Sequence, residues 1–141
     1  MMRFFVPGHP APQGSKQAFV RGKRAVLVEV SKRVKPWREA VSTVASLHCK
    51  TPIDGPVAVY VEFVMPRPKS LPKKVVHMVK KPDLDKCIRS TLDALSKIAY
   101  VDDNRVNEIH AWKRYQKPGE QSGANIEIIE NIPEKRFKNA V

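Results

Sequence analysis

Cysteine is almost absent from this chain, and its two residues, Cys49 and Cys87, stand far apart. They form no close pair and lack the spacing of a zinc site. Cys87 falls on the apolar side of a predicted helix and reads as a buried free thiol. Cys49 reads as the same or as partly exposed; a disulfide between the two is left open. A reducing cytoplasm suits both. Long hydrophobic runs are missing too. No stretch is apolar enough to span a bilayer, and there is no lipidation signal or leader-like apolar region. A membrane partner is therefore the weaker reading, and a cytoplasmic location is expected. Negative charge is also scarce. Against 26 Lys and Arg there are 14 Asp and Glu, a net charge of +12. Self-repulsion of that size opposes folding but captures polyanions, which makes nucleic acid the natural partner.

What is there suits one domain. A chain of 141 residues with 42% hydrophobic content can bury a single core. No internal repeat or linker divides it, so residues 1–141 are expected to form one unit, with a loose basic tail over 131–141. Residues 4–6 read as a short strand stopped by Pro7-Gly8. A turn-rich loop follows through Pro12, Gly14 and Ser15. Segments 18–20 and 25–28 predict a hairpin around a basic turn. A helix is expected to begin near Pro36, with Trp37, Val41, Val44, Ala45 and His48 as its apolar stripe. Residues 57–64 alternate cleanly and carry one charge, Glu62, which predicts an inner strand. A second helix is expected from Leu84 or Asp85 to Ser96. Strands are expected over 106–115 and 124–129. The fold class is α+β: a compact mixed sheet packed with two main helices.

Residues 65–81 read differently. Pro66, Pro68 and Pro72 prevent regular helix, and 75–79 is either a short strand or part of an irregular arm. The arm carries Arg67, Lys69, Lys73, Lys74, Lys80 and Lys81. With Lys16, Arg21, Lys23 and Arg24 of the hairpin, these are the candidate contacts to a phosphate backbone. Solvated surface charge is the alternative for any one of them. Phe19 and Trp37 read as core residues, and Trp112 as a packing or interface residue. No histidine is placed as a general base.

The scarce acids are clustered. Asp83 and Asp85 stand at the start of the second helix, and Asp102 and Asp103 follow its end. In a regular helix, residues two apart point about 200° away from each other. In an extended segment they share a face, roughly 6.5 Å apart. Pro82 disfavours helix before it, so Asp83 can stand outside the helix while Asp85 opens it. The positive end of the helix reduces the cost of both charges. Clustered carboxylates are costly without a cation, and an oxygen-rich set suits Mg²⁺ with phosphate and water completing its shell. Asp102 and Asp103 face opposite ways if extended, and spacing does not choose between them. Arg89 lies four residues after Asp85 and four before Asp93. It could bridge them along one face or stabilise phosphoryl charge. Lys86 is expected to face solvent or DNA, and Asp93 to balance Arg89. The bland alternative makes Asp83 a helix cap and Asp85 a surface acid.

Lys81-Pro82-Asp83-Leu84-Asp85, then Leu92-Asp93-Ala94-Leu95, then Tyr100-Val101-Asp102-Asp103 together resemble the RusA family of Holliday-junction resolvases. The opening Val6-Pro7-Gly8-His9-Pro10-Ala11-Pro12-Gln13-Gly14-Ser15-Lys16 resembles the family's proline-rich N-terminal motif, especially in phage and prophage members. The resemblance implies a homodimeric endonuclease that uses magnesium, with manganese an alternative, to cut opposing strands of four-way DNA. It implies catalytic and metal-binding roles for Asp83, Asp85 and Asp103, with Asp102 the close alternative to the last. The family's functional lysine corresponds to Arg89, which keeps the charge but offers a planar fork. Lys86 stands where the family commonly has Asn, in a possible supporting role. Two further readings stand beside this one: a non-catalytic DNA- or RNA-binding protein, and a basic structural subunit of a nucleoprotein.

Overall fold

The computed structural model describes residues 1–14, 16–21, 24–29 and 32–131. Its main elements are β1 (Met2–Pro7), β2 (Lys16–Arg21), β3 (Arg24–Glu29), α1 (Val34–His48), β4 (Val57–Met65), α2 (Leu84–Leu95), β5 (Val106–Tyr115) and β6 (Gly123–Glu130). A single 3₁₀ turn, Asp103–Arg105, precedes β5. Four strands form one mixed sheet in the order β1-β6-β4-β5. β6 is antiparallel to both β1 and β4, while β5 runs parallel to β4. With the two helices this is an α+β fold. β2 and β3 form the expected hairpin.

Alternation along β4 explains the core. Val57, Val59, Val61, Phe63 and Met65 are buried, and they join Ile126 and Ile128 of β6 and Phe4 and Val6 of β1. Trp37, Val41 and Ala45 of α1 and Cys87, Ala94 and Leu95 of α2 close the same core. β4 is an inner strand, as its near lack of charge predicts. Glu62 is tolerated because three neighbours satisfy it: Trp112 Nε1 at 2.9 Å, Asn125 Nδ2 at 3.0 Å and Arg114 Nε at 3.1 Å. The hydrogen-bonded Arg114 guanidinium holds its carboxyl below the usual range.

Several boundaries differ from the sequence reading. α1 begins two residues before Pro36, which then sits in the first turn, where the missing N–H costs nothing. Residues 75–79 form no strand. The whole of 66–83 is irregular, held by proline turns and by Arg67, whose guanidinium donates to the Pro72 carbonyl at 2.8 Å. β5 patterns less cleanly because it is an edge strand with partly exposed residues on both faces. Asn131 does not belong to a loose tail. It is buried, its N–H bonds the Pro56 carbonyl at 2.9 Å, and its side chain bonds Asn107 and Glu108. Residues 132–141 lie outside the described residues. Both cysteines are buried free thiols, so the disulfide left open by sequence is not formed. Among the described residues no helix is long and apolar enough to cross a membrane.

Glycine is required where β1 meets β6. Gly123 has φ +153°, and a Cβ there would stand 2.0 Å from the Val6 carbonyl oxygen. A side chain at that position would break the pairing that carries the N-terminal strand, and with it the loop that follows.

Candidate active site

α2 starts abruptly because the irregular arm ends in a turn over Lys81 and Pro82, joined by a cis peptide. Asp83 follows in extended geometry (φ −67°, ψ 137°) as the N-cap residue. Its carbonyl accepts the Cys87 N–H at 3.1 Å, but its carboxylate makes no capping hydrogen bond. The bland capping role thus does not consume that carboxylate. It lies 3.3 Å from Lys86 Nζ in a half-exposed pair, which is worth little for stability. Lys86 therefore lies against the first acid, rather than pointing away from it. Lys113 of β5 supports the same turn from below. Its ammonium donates to the Lys80 carbonyl at 2.7 Å and to the Pro82 carbonyl at 3.0 Å. Nothing local in the sequence marks Lys113, since its partners are more than thirty residues upstream.

Along α2, Asp85, Arg89 and Asp93 recur every fourth residue, a drift of about 40° per step. They form one stripe about 12 Å long. Asp85 and Arg89 are exposed, and neither has an ion-pair partner among the described residues. Asp93 is different. Its carboxylate accepts a hydrogen bond from Gln13 Nε2 of the proline-rich loop, and it lies against Asp103. The same loop docks through the Gln13 N–H to the Lys86 carbonyl at 3.0 Å and through Ser90 Oγ to the Ala11 carbonyl at 2.6 Å. Gln13 Oε1 is buried and has no hydrogen-bond partner among the described residues.

The later acids follow a tight reversal. Ser96 bridges to Tyr100, and the buried Tyr100 donates its hydroxyl to the Leu92 carbonyl at 2.7 Å. Burial first, then the nearby Asp103, Asp93 and Asp102, push that phenol upward in pKa. Arg105 anchors the next turn to Asp54 at 2.9 Å. This places Asp102 and Asp103 at the C-terminal end of α2, beside Asp93. A hydrogen bond shared with Asp102, then partial desolvation, then contact with Asp93 raise the pKa of Asp103. The hydrogen bond from Asp103 lowers that of Asp102. The two carboxyls hold one proton between them more readily than two isolated acids would.

Asp83 and Asp85 open α2, whereas Asp103 contacts Asp93 towards its other end. α2 is unbroken, so a chain that turns back directly after it meets the helix at its far end, about a helix length from Asp83. Among the described residues, no three or more His, Cys, Asp or Glu stand close enough to hold an ion. Asp93, read as a structural balance for Arg89, touches Asp103 beside Asp102. Its i,i+8 position on the Asp85 stripe is the signal that could have marked it. The donor chemistry fits a hard cation: every candidate ligand is a carboxylate, and Asp103 is pushed towards protonation by two acids beside it. Of the proposed phosphate contacts, Lys69, Lys73, Lys74, Lys80 and Lys81 are exposed on the arm. Arg67 braces the arm, with its guanidinium 5.3 Å from the Tyr115 ring centroid. Lys23 and the side chains of Lys16, Arg21 and Arg24 lie outside the described residues.

A family model described as Endodeoxyribonuclease RusA matches residues 7–129. The match runs from the proline-rich loop through both acid pairs. The chain belongs to the RusA endodeoxyribonuclease family. It is also 30% identical over 127 residues to the uncharacterized protein YqaN of Bacillus subtilis (strain 168), covering 82% of this chain and 89% of that protein. The matched region brings the two acid pairs and the proline-rich loop to one helix.

Two outcomes are expected at this site. Gly14 has φ +105°, and a Cβ there would stand 2.6 Å from Arg89 Nη1. Gly14→Ala should cost about 1–3 kcal/mol in backbone strain and displace the Arg89 guanidinium. Cleavage should fall about tenfold, one decade being 1.36 kcal/mol of barrier. Combining it with Arg89→Gln should cost no more than Arg89→Gln alone, since both act on one group; additive losses would separate Gly14 from Arg89. The second outcome concerns titration. Asp93→Asn removes one of the groups raising Asp103, so the Asp103 carboxyl should titrate at lower pH than in the wild type. Carboxyl-carbon NMR checks this, and an unmoved or higher midpoint would show that Asp93 does not act on Asp103. The sign for stability is opposite to that of an ordinary paired carboxylate. A raised folded-state pKa favours the fold at low pH, and that contribution is lost as pH rises through the folded value.

Proposed function

We propose that this protein is a divalent-metal-dependent endonuclease that cuts branched DNA, four-way junctions above all. One observation carries the reading. In a family of endodeoxyribonucleases, this chain of net charge +12 gathers five of its acids along α2 and the turn after it, beside an exposed lysine arm. Asp83 and Asp85 at the start of α2 would hold Mg²⁺ or Mn²⁺ together with a substrate phosphate, an arrangement that needs only one or two carboxylates, and Asp103 with Asp93 would place further negative charge towards the other end of the helix. Bound there, the ion would supply an activated water and neutralise charge on the phosphate. Lys86 beside Asp83 and the lysines of the arm would bind flanking phosphates. Arg89, in the middle of the acidic stripe, would meet the phosphoryl oxygens with its planar fork. Two copies related by a two-fold axis would present one site to each of two strands.

Labelled four-way, Y-shaped and linear DNA, incubated with Mg²⁺ or with chelator, tests the proposal. Metal-dependent paired nicks in the four-way substrate are expected. Binding should weaken by about a thousandfold between 50 and 200 mM salt if six or so phosphates are neutralised. Tight binding without cleavage under every metal would favour the non-catalytic binding protein. Equal cutting of linear DNA would remove the branched substrate.

A further inference from the structure

The irregular arm and the proline-rich loop enclose a groove that the acidic site does not use. Its volume is about 310 Å³. Met65, Met78, Tyr115 and Pro10 supply apolar surface, and Arg33, Lys80 and Lys81 supply positive charge; among the described residues no acid lines it. Lys81 and Pro82 also wall the adjoining recess that contains Asp83 and Lys86, so the groove opens towards the N-terminal acids of α2. We infer that this groove binds one unstacked nucleotide of the strand being cut, base inward and phosphate at the lysines. The inference rests on the DNA reading above.

Size and chemistry both argue for it. Small-molecule pockets span about 300–1,000 Å³, so this groove takes a nucleotide and excludes a duplex. A base has two apolar faces, which thioether, proline and aromatic surfaces match without reading sequence. The nucleotide's charge lies at one end, where Lys80 and Lys81 stand. Among the described residues the lining is free of acids, although the neighbouring recess contains one. The groove is also held open by its own structure. Lys113 fixes the carbonyls of Lys80 and Pro82, and Arg67 holds the arm over Tyr115. Unstacking a base costs a few kcal/mol in a duplex and least where pairing is already interrupted. A branch point supplies such a nucleotide, so the groove would favour branched over linear DNA.

The test places single 2-aminopurines at successive positions around the branch point of a four-way junction and binds wild-type protein in chelator. Binding should raise fluorescence at least threefold at one position per cut strand and leave a linear duplex unchanged. Met78→Trp, which fills the groove, should abolish the rise while junction affinity stays within about threefold. Lys80→Ala alters an exposed side chain that makes no hydrogen bond or ion pair among the described residues, and covers the case in which Met78→Trp fails to fold; it should reduce the rise at least twofold at the same position. Tight junction binding with no fluorescence rise would overturn the groove and leave the nuclease reading standing. So would a rise that both variants retain. Failure to bind any DNA would overturn both.

Discussion

Asparagine at Asp83 and Asp85 together is expected to reduce cleavage of four-way DNA by at least about a thousandfold, a barrier increase of about 4 kcal/mol. Junction affinity should stay within about threefold. The substitution keeps the shape of each side chain and removes its charge. Asp83 loses only its half-exposed pair with Lys86, and Asp85 has no ion-pair partner among the described residues, so the fold has little to lose. Removing two negative charges near the phosphates should, if anything, tighten DNA binding. Gel assays of binding and nicking, run side by side, separate the two effects. Unchanged cleavage would take these acids out of the mechanism. Asp93→Asn and Asp103→Asn extend the result. If the two ends of α2 serve one reaction, each should cost at least about a hundredfold, close to 3 kcal/mol. If Asp93 only balances charge, its substitution should cost less than about threefold.

Trp37→Ala is expected to have the largest effect on stability, about 3–5 kcal/mol. For a chain of this length that is a fall in Tm of roughly 10–15 °C. Trp37 is 2% exposed. It lies on the inner face of α1, and its indole N–H donates to Thr91 Oγ1 on α2 at 3.1 Å. Thr91 in turn donates to the Cys87 carbonyl at 2.8 Å. The ring also packs beneath the Gly8 loop, where an added Cβ would meet it at 3.6 Å. Truncation therefore opens a cavity at the meeting point of both helices and the proline-rich loop. Trp37→Phe keeps most of the apolar volume and removes only the donor, and should cost about 1–2 kcal/mol. Urea unfolding followed by circular dichroism measures both. A loss below about 1 kcal/mol for the alanine variant would mean that the helices do not depend on this contact.

Burial also sets the behaviour of Cys87. Desolvation raises its thiol to about 12, opposed by Lys113 and reinforced by Asp83 and Asp85. Although it lies within the first turns of α2, it is an inert core residue at neutral pH.

Local pattern was enough for much of this protein. The 3.6-residue stripe of α1, the alternation of β4 and the proline content of the arm each depend on neighbours in sequence, and each was legible there. So were the acids, because a D-x-D before an apolar helix and a second acidic pair after it are visible without a fold. The strand assignment of 106–115 was harder to draw, since an edge strand with residues exposed on both faces has no strict alternation to display. Lys113 carried no local mark at all, and Gln13 was marked only as a member of the proline-rich opening.

Chain composition and periodicity determined the fold class, the basic partner surface and which residues are acidic enough to matter. Only the tertiary structure decided how those acids group. Asp93 meets Asp103 because the chain reverses immediately after α2, and it meets Gln13 because a loop eighty residues earlier docks on that helix. Side-chain periodicity is a property of adjacent residues. The distance between two carboxylates is set by where the backbone returns, and no spacing in the sequence encodes that return.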